Sequence, residues 1–311
     1  MTQAEATLGD RAARRRLEGL AALVLVQVFF GLFPVLVKLA HDGGAGFTTR
    51  ALASWRITVG ALVLAALALL RHGRAFVPPR ADWPRLFLCA LLGIVLNQLL
   101  ALEGTARTSA SQAGILFTLI PVFTYAVAAG ARQERFTTRR ALGIAVALAG
   151  AVVLVLGRSG AGRAAPATDP LGGSLLLVLN CLAYAVYLVL ARRLLDHLPT
   201  LVVIAWVFLL SLWAPPLFTL AGDAPFWPTH ASREAVIGFA GLLVFSTVLA
   251  YLLNTYALAR VSASTTAAFI YLQPLVSVGA AMLVLGERPG PAAFLGAAVL
   301  FVGIRLVVRG G

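Results

Sequence analysis

SASQAGILFTLIPVFTYAVAAGARQER at residues 109–135 and SASTTAAFIYLQPLVSVGAAMLVLGER at 262–288 are two versions of one segment. At an offset of 153, residues 109–152 align with 262–305 without a gap, and 13 of the 44 positions are identical. Ser109-Ala110-Ser111 meets Ser262-Ala263-Ser264, and Pro121 meets Pro274. Glu134-Arg135 meets Glu287-Arg288, Gly143 meets Gly296 and Gly150 meets Gly303. The same offset pairs Gln27 with Asn180. A fixed offset that preserves small, kinked and charged positions together is the mark of an internal duplication. The chain therefore reads as two related halves.

Composition says what the halves are made of. Of 311 residues, 60% are apolar and only 12% charged, where soluble domains carry roughly 25% charged residues. The mean hydropathy is +0.91. So few charges cannot cover so much apolar surface in water. A soluble enzyme, a nucleic-acid module and a disordered chain are excluded as classes. About 20 apolar residues cross the hydrocarbon core as a helix. Ten such runs follow one another, near 20–40, 51–70, 86–102, 108–130, 141–157, 171–191, 200–221, 235–257, 262–286 and 291–308. Strands of a membrane barrel would be shorter and would alternate. The expected fold is an all-α polytopic membrane protein of ten transmembrane helices, arranged as two five-helix repeats. A basic tail (1–19) precedes the first repeat (20–157), and a small-residue linker (158–170) leads to the second (171–309). The first run is long enough to span and reads as an uncleaved helix rather than a signal peptide.

The net charge of +13 is a matter of topology. Placing the N-terminus in the cytoplasm leaves 16 lysines and arginines on that side and 7 on the other, counting Lys38 at the edge of the first span. That bias puts both termini inside and requires an even number of spans. Five spans per half is odd, so the second half enters the membrane in the opposite sense. Inverted repeats build two pseudo-equivalent gates around a midplane site, which is the architecture of a secondary transporter.

Enzyme chemistry finds no support. The four histidines are scattered in loops, and no His-Glu-x-x-His, nucleophile elbow or phosphate-binding loop occurs. Cys89 and Cys181 sit alone in apolar runs, without disulfide or metal spacing. No cofactor and no metal are expected.

Two five-span halves, each with Ser-Ala-Ser, a mid-span proline and a closing Glu-Arg, resemble the EamA family of the drug/metabolite transporter superfamily. The resemblance covers about residues 20–308. It implies a ten-span carrier of the bacterial inner membrane, often an exporter of amino acids or other small metabolites.

The polar residues inside the spans are the candidates for the site. No carboxylate lies near a span centre, which argues against a cation binder and against carboxylate-gated proton coupling. The cations are Arg56, six residues into its span, and Lys38 near an edge. Either suits a carboxylate or a phosphate, or else snorkels to an interface. Helical phase gathers Gln27, Gly31, Pro34 and Lys38 on one face, and Asn180, Tyr184 and Tyr187 on another. It also groups Thr247, Tyr251 and Asn254, and then Ser262, Thr265, Thr266, Phe269 and Gln273. Amides avoid lipid, so these faces should turn inward, as cavity lining or as glue between helices. The expected lining is Gln27, Arg56, Asn97, Gln98, Asn180, Tyr184, Tyr251, Asn254 and Gln273, with the tyrosines and Phe269 packing on an amphipathic ligand. Pro34, Pro121 and Pro274 are expected kinks at the gates, and Glu134 and Glu287 interfacial ion pairs that hold a gate or a loop. Gly143, Gly150, Gly296 and Gly303 mark spans five and ten as close-packing elements without ligand contact.

The expected activity is secondary transport, by alternating access, of a small metabolite such as an amino acid, with export favoured. The alternatives are a drug or sugar-phosphate transporter of the same superfamily and a non-transporting membrane scaffold. The expected partners are the small-molecule substrate and the lipid bilayer, with no nucleic acid. A homodimer is compatible with the sequence.

Overall fold

The computed structural model describes residues 3–132, 137–156, 168–220, 226–258, 260, 269 and 272–309. It is all-helical, with no strand among those residues. Seven stretches are long and apolar enough to cross a membrane: Leu17–His41, Thr49–Phe76, Arg80–Arg107, Ala110–Gly130, Pro170–Leu195, Thr200–Phe218 and Arg233–Asn254. Three shorter apolar helices, Ala141–Val153, Gln273–Leu285 and Pro291–Gly303, accompany them. The outer surface carries large apolar side chains such as Leu70, Leu220 and Leu283, each more than four-fifths exposed. Water would penalise that surface, whereas hydrocarbon does not.

Several spans are broken, and the breaks have chemical causes. α1 (Gln3–Gly31) gives way to α2 (Phe33–His41) just before Pro34, which occupies the first turn of α2. Pro34 has no N–H, so the Phe30 carbonyl loses the donor an unbroken helix would supply. α3 (Thr49–His72) is capped by the Thr48 hydroxyl, which accepts from Ala51 N. α6 (Ala110–Leu116) and α7 (Leu119–Gly130) are likewise separated upstream of Pro121. There the Phe117 carbonyl accepts from Ile120 N at 3.1 Å, a tighter turn forced by the missing donor.

Two other spans are interrupted by π-turns. Leu91–Leu96 joins α4 (Trp83–Ala90) to α5 (Asn97–Arg107). α8 (Thr138–Leu156), α9 (Pro170–Leu195), α10 (Thr200–Leu209) and α11 (Ala214–Leu220) follow. Val244–Leu249 then joins α12 (Arg233–Leu243) to α13 (Ala250–Leu258). The offset of 153 carries the first π-turn onto the second, residue for residue. In the second, the Thr247 hydroxyl donates to the Leu242 carbonyl at 2.9 Å, satisfying a group that the wider turn displaces.

α14 (Gln273–Leu285) opens at Pro274, and α15 (Pro291–Arg309) closes the described chain. The packing respects the duplication. α5 packs on α9 as α13 packs on α1, while α3 with α10 and α8 with α15 pair related helices across the pseudo-twofold. α8 and α15 approach backbone to backbone. A Cβ on Gly150 would lie 2.8 Å from the Gly296 carbonyl, and one on Gly303 would lie 2.7 Å from that of Gly143. No side chain fits there, so glycine sets the helix separation.

Candidate functional site

The α1–α2 unit measures the depth of the bundle. Glu18 and Lys38 are 20 residues apart along it, about 30 Å of helix, and Gln27 lies near the middle. At that level the helices enclose a cavity of about 470 Å³, within the usual range for a small-molecule site. Its wall contains Gln27, Arg56, Asn97, Gln98, Asn180, Tyr184, Tyr251, Asn254 and Gln273, together with Phe30, Phe33 and Phe117. The nine polar residues singled out in the sequence thus come together on one wall, from α1, α3, α5, α9, α13 and α14.

Two of the amides tie helices together while facing the cavity. Gln273 Nε2 donates to Gln27 Oε1 at 2.6 Å, joining α14 to α1 across the two halves. Asn180 Nδ2 donates to the Asn97 carbonyl at 2.8 Å, where α5 leaves the first π-turn. Lining and glue are therefore not alternatives for these residues.

Arg56 is placed differently. It is 4% exposed. Its Nη2 donates to the Ser246 carbonyl inside the second π-turn at 3.3 Å, and its guanidinium carbon lies 4.8 Å from the centre of the Phe33 ring. Nε and Nη1 have no hydrogen-bond partner among the described residues. Gln98, 1% exposed, likewise leaves Nε2 without one. Among the described residues no acidic one lines the cavity. A buried guanidinium without a carboxylate, in the same cavity lining as an unpaired amide donor, favours an incoming anion. Around it stand aromatic rings. Phe30 meets Tyr251 edge-on at 5.9 Å, Phe33 meets Phe117 at 5.9 Å, and Tyr251 meets Phe208 at 5.3 Å.

Other sequence candidates lie elsewhere. Lys38 is outside the cavity wall, and its ammonium donates to the Ala106 carbonyl at 2.8 Å. Phe269 packs with Ala22, Leu23 and Ala257 rather than on the cavity. Tyr187 lies tilted against Tyr184 and covers the first π-turn at Gly93, where a Cβ would leave no room for its ring. Glu134, Ser262, Thr265 and Thr266 lie outside the described residues. Glu287, expected in an ion pair, has the charge of Lys38 near it and also bonds backbone donors. Its carboxylate is 6% exposed and accepts from Ala110 N at 2.7 Å and Ser111 N at 3.0 Å. It closes the N-terminus of α6, where two backbone donors and the helix dipole outweigh a surface arginine.

The three phenylalanines escaped sequence reasoning because an apolar residue in an apolar span carries no polar signal. A signal did exist for two of them. Phe30 and Phe117 stand four residues before Pro34 and Pro121, at the carbonyls those prolines release.

The EamA-like transporter family matches residues 17–156 and again 171–309. The chain belongs to that family. Its relatives agree in kind. A protein of Streptantibioticus cattleyicolor named as a probable terminal-alkyne amino-acid exporter is 29% identical over 93% of this chain and 92% of its own length. The uncharacterized transporter YdfC of Bacillus subtilis is 26% identical over 89% of this chain and 88% of its own. A solved crystal structure, 20% identical, superposes with a TM-score of 0.61 over 94% of this chain and 97% of that one, which speaks to the fold. This EamA-family chain is thus a multi-pass membrane transporter protein.

Proposed function

We propose that this EamA transporter is a secondary carrier of a bacterial inner membrane. In this reading it has ten spans in two inverted halves, with both termini in the cytoplasm. It exports a small carboxylate-bearing metabolite such as an amino acid. The seven long and three shorter apolar helices sum to the even number that the arginine distribution requires. The observation that carries the substrate class is Arg56, a buried cation in a cavity lining that holds no acid among the described residues, with two of its three nitrogens unpaired there. An amino acid would set its carboxylate on Arg56 and Gln98. Its ammonium would face the aromatic rings of Phe30 and Tyr251, which attract cations. The S. cattleyicolor relative named as a probable terminal-alkyne amino-acid exporter supports the same class. A sugar phosphate would call for more than one cation on the wall.

The test is flux of labelled L-phenylalanine and of L-phenylalaninamide in proteoliposomes. Arg56→Gln should reduce uptake of the acid at low concentration by about tenfold or more, as expected for losing a charged hydrogen-bond partner, and spare the amide. Equal losses for both compounds overturn the carboxylate assignment.

A further inference from the structure

The same arginine bears on how the carrier completes its cycle, which deepens the substrate reading above and rests on it. Alternating access requires the site to pass through a state sealed from both sides. Polar contacts that could close in such a state lie toward each end of the α1–α2 unit. At one end, Tyr256 Oη donates to Glu18 at 3.1 Å, Arg260 approaches Glu18 at 3.8 Å, and the Arg260 guanidinium covers the Tyr256 ring. At the other, Glu287 closes α6 and Lys38 holds the end of α5.

Between those ends the described cavity wall carries one cation and no acid. A guanidinium cut off from bulk water and without a counter-ion is strongly disfavoured. Its neighbours among the described residues, the Ser246 carbonyl, the Phe33 ring and Tyr251, include no carboxylate. A bound carboxylate supplies that charge. The loaded sealed state is therefore favoured over the unloaded one by the difference between a paired and an unpaired buried cation. The Ser246 carbonyl adds to this. It belongs to the second π-turn, and Arg56 holds it until a carboxylate competes for the guanidinium.

We infer that this carrier is an exchanger: it recrosses the membrane rapidly only with an organic carboxylate on Arg56, so outward movement of one carboxylate is tied to inward movement of another. The unloaded carrier returns slowly because Arg56 must then be sealed in alone.

The experiment uses the purified full-length protein in proteoliposomes loaded with labelled L-phenylalanine, L-leucine or phenylacetate. Efflux is followed into buffer with or without the same unlabelled compound outside. The result expected is an acceleration of about tenfold or more by the external carboxylate, and no acceleration by external L-phenylalaninamide. Equal efflux into both buffers, for a compound that is transported, overturns the exchange inference and leaves the carboxylate site standing. Acceleration by the amide as strong as by the acid also overturns it. Failure of all three compounds to be transported, or to raise the melting temperature of the protein, overturns the carboxylate reading and the exchange inference with it. Arg56→Met separates the charge from the fold. Provided its melting temperature matches the parent, residual flux in this variant should lose its dependence on external carboxylate. Retained dependence counts against Arg56 as the cause.

Discussion

The two halves of the molecule share a backbone design and differ in side chains at the cavity. Leu91–Leu96 and Val244–Leu249 are π-turns at corresponding places, yet Asn97-Gln98 follows one and Ala250-Tyr251 the other. Gln27 corresponds to Asn180, but one bonds an amide of the opposite half and the other the Asn97 carbonyl, just after the first π-turn. Ile120 corresponds to Gln273, Ala101 to Asn254, and Arg56 to Leu209. The breaks, π-turns and glycine contacts follow the duplication, as the proposed alternating access by inverted halves would require. The chemistry departs from it, because one ligand without twofold symmetry cannot be held by two identical walls. A π-turn also gives a span a place to bend at little cost, since its hydrogen bonds are already loosened.

The comparison can be broken most severely at the α8–α15 contact. Gly303→Val should cost about 3 kcal/mol by overpacking against the backbone near Ala147, read as a lowered melting temperature in detergent. Gly150→Val, its mirror against Leu300 and Gly296, should cost about as much. A large difference between the two would show that the halves do not share this contact equally.

Glu287→Ala comes next. It leaves Ala110 N and Ser111 N without their acceptor and should cost about 2 kcal/mol, with Glu287→Asp recovering part. Glu134 stands at the corresponding position of the first half. Glu134→Ala measured beside Glu287→Ala reports whether both halves use the same closure. The smallest effect belongs to Asn180→Ala, which removes one hydrogen bond to the Asn97 carbonyl and should cost about 1 kcal/mol. Its larger consequence should be on transport, because the same amide faces the cavity.

Much of this was legible in the sequence, for definite reasons. Amides and Arg56 stand out in spans where every polar group needs a partner, so Gln27, Asn97, Gln98, Asn180, Asn254 and Gln273 could be found and assigned to inward faces. The duplication showed through Pro121 and Pro274 and through the glycine pairs, since close approach and missing donors restrict residue choice. The π-turns did not show, because one extra residue in a turn leaves hydropathy unchanged. Phe33 did not show either, for an apolar ring reveals its neighbour only in three dimensions. Glu287 was read beside its chain neighbour Arg288. The backbone donors of Ala110 and Ser111 that it also bonds are more than 170 residues away, and only the fold brings them within reach.

The central claim is that Arg56 reads a carboxylate. The most direct measurement is thermal stabilisation of the purified protein by L-phenylalanine against L-phenylalaninamide, in the parent and in Arg56→Gln. The account predicts that the acid stabilises the parent more than the amide does, and that Arg56→Gln abolishes the difference. Preference for the acid that survives in Arg56→Gln would contradict it.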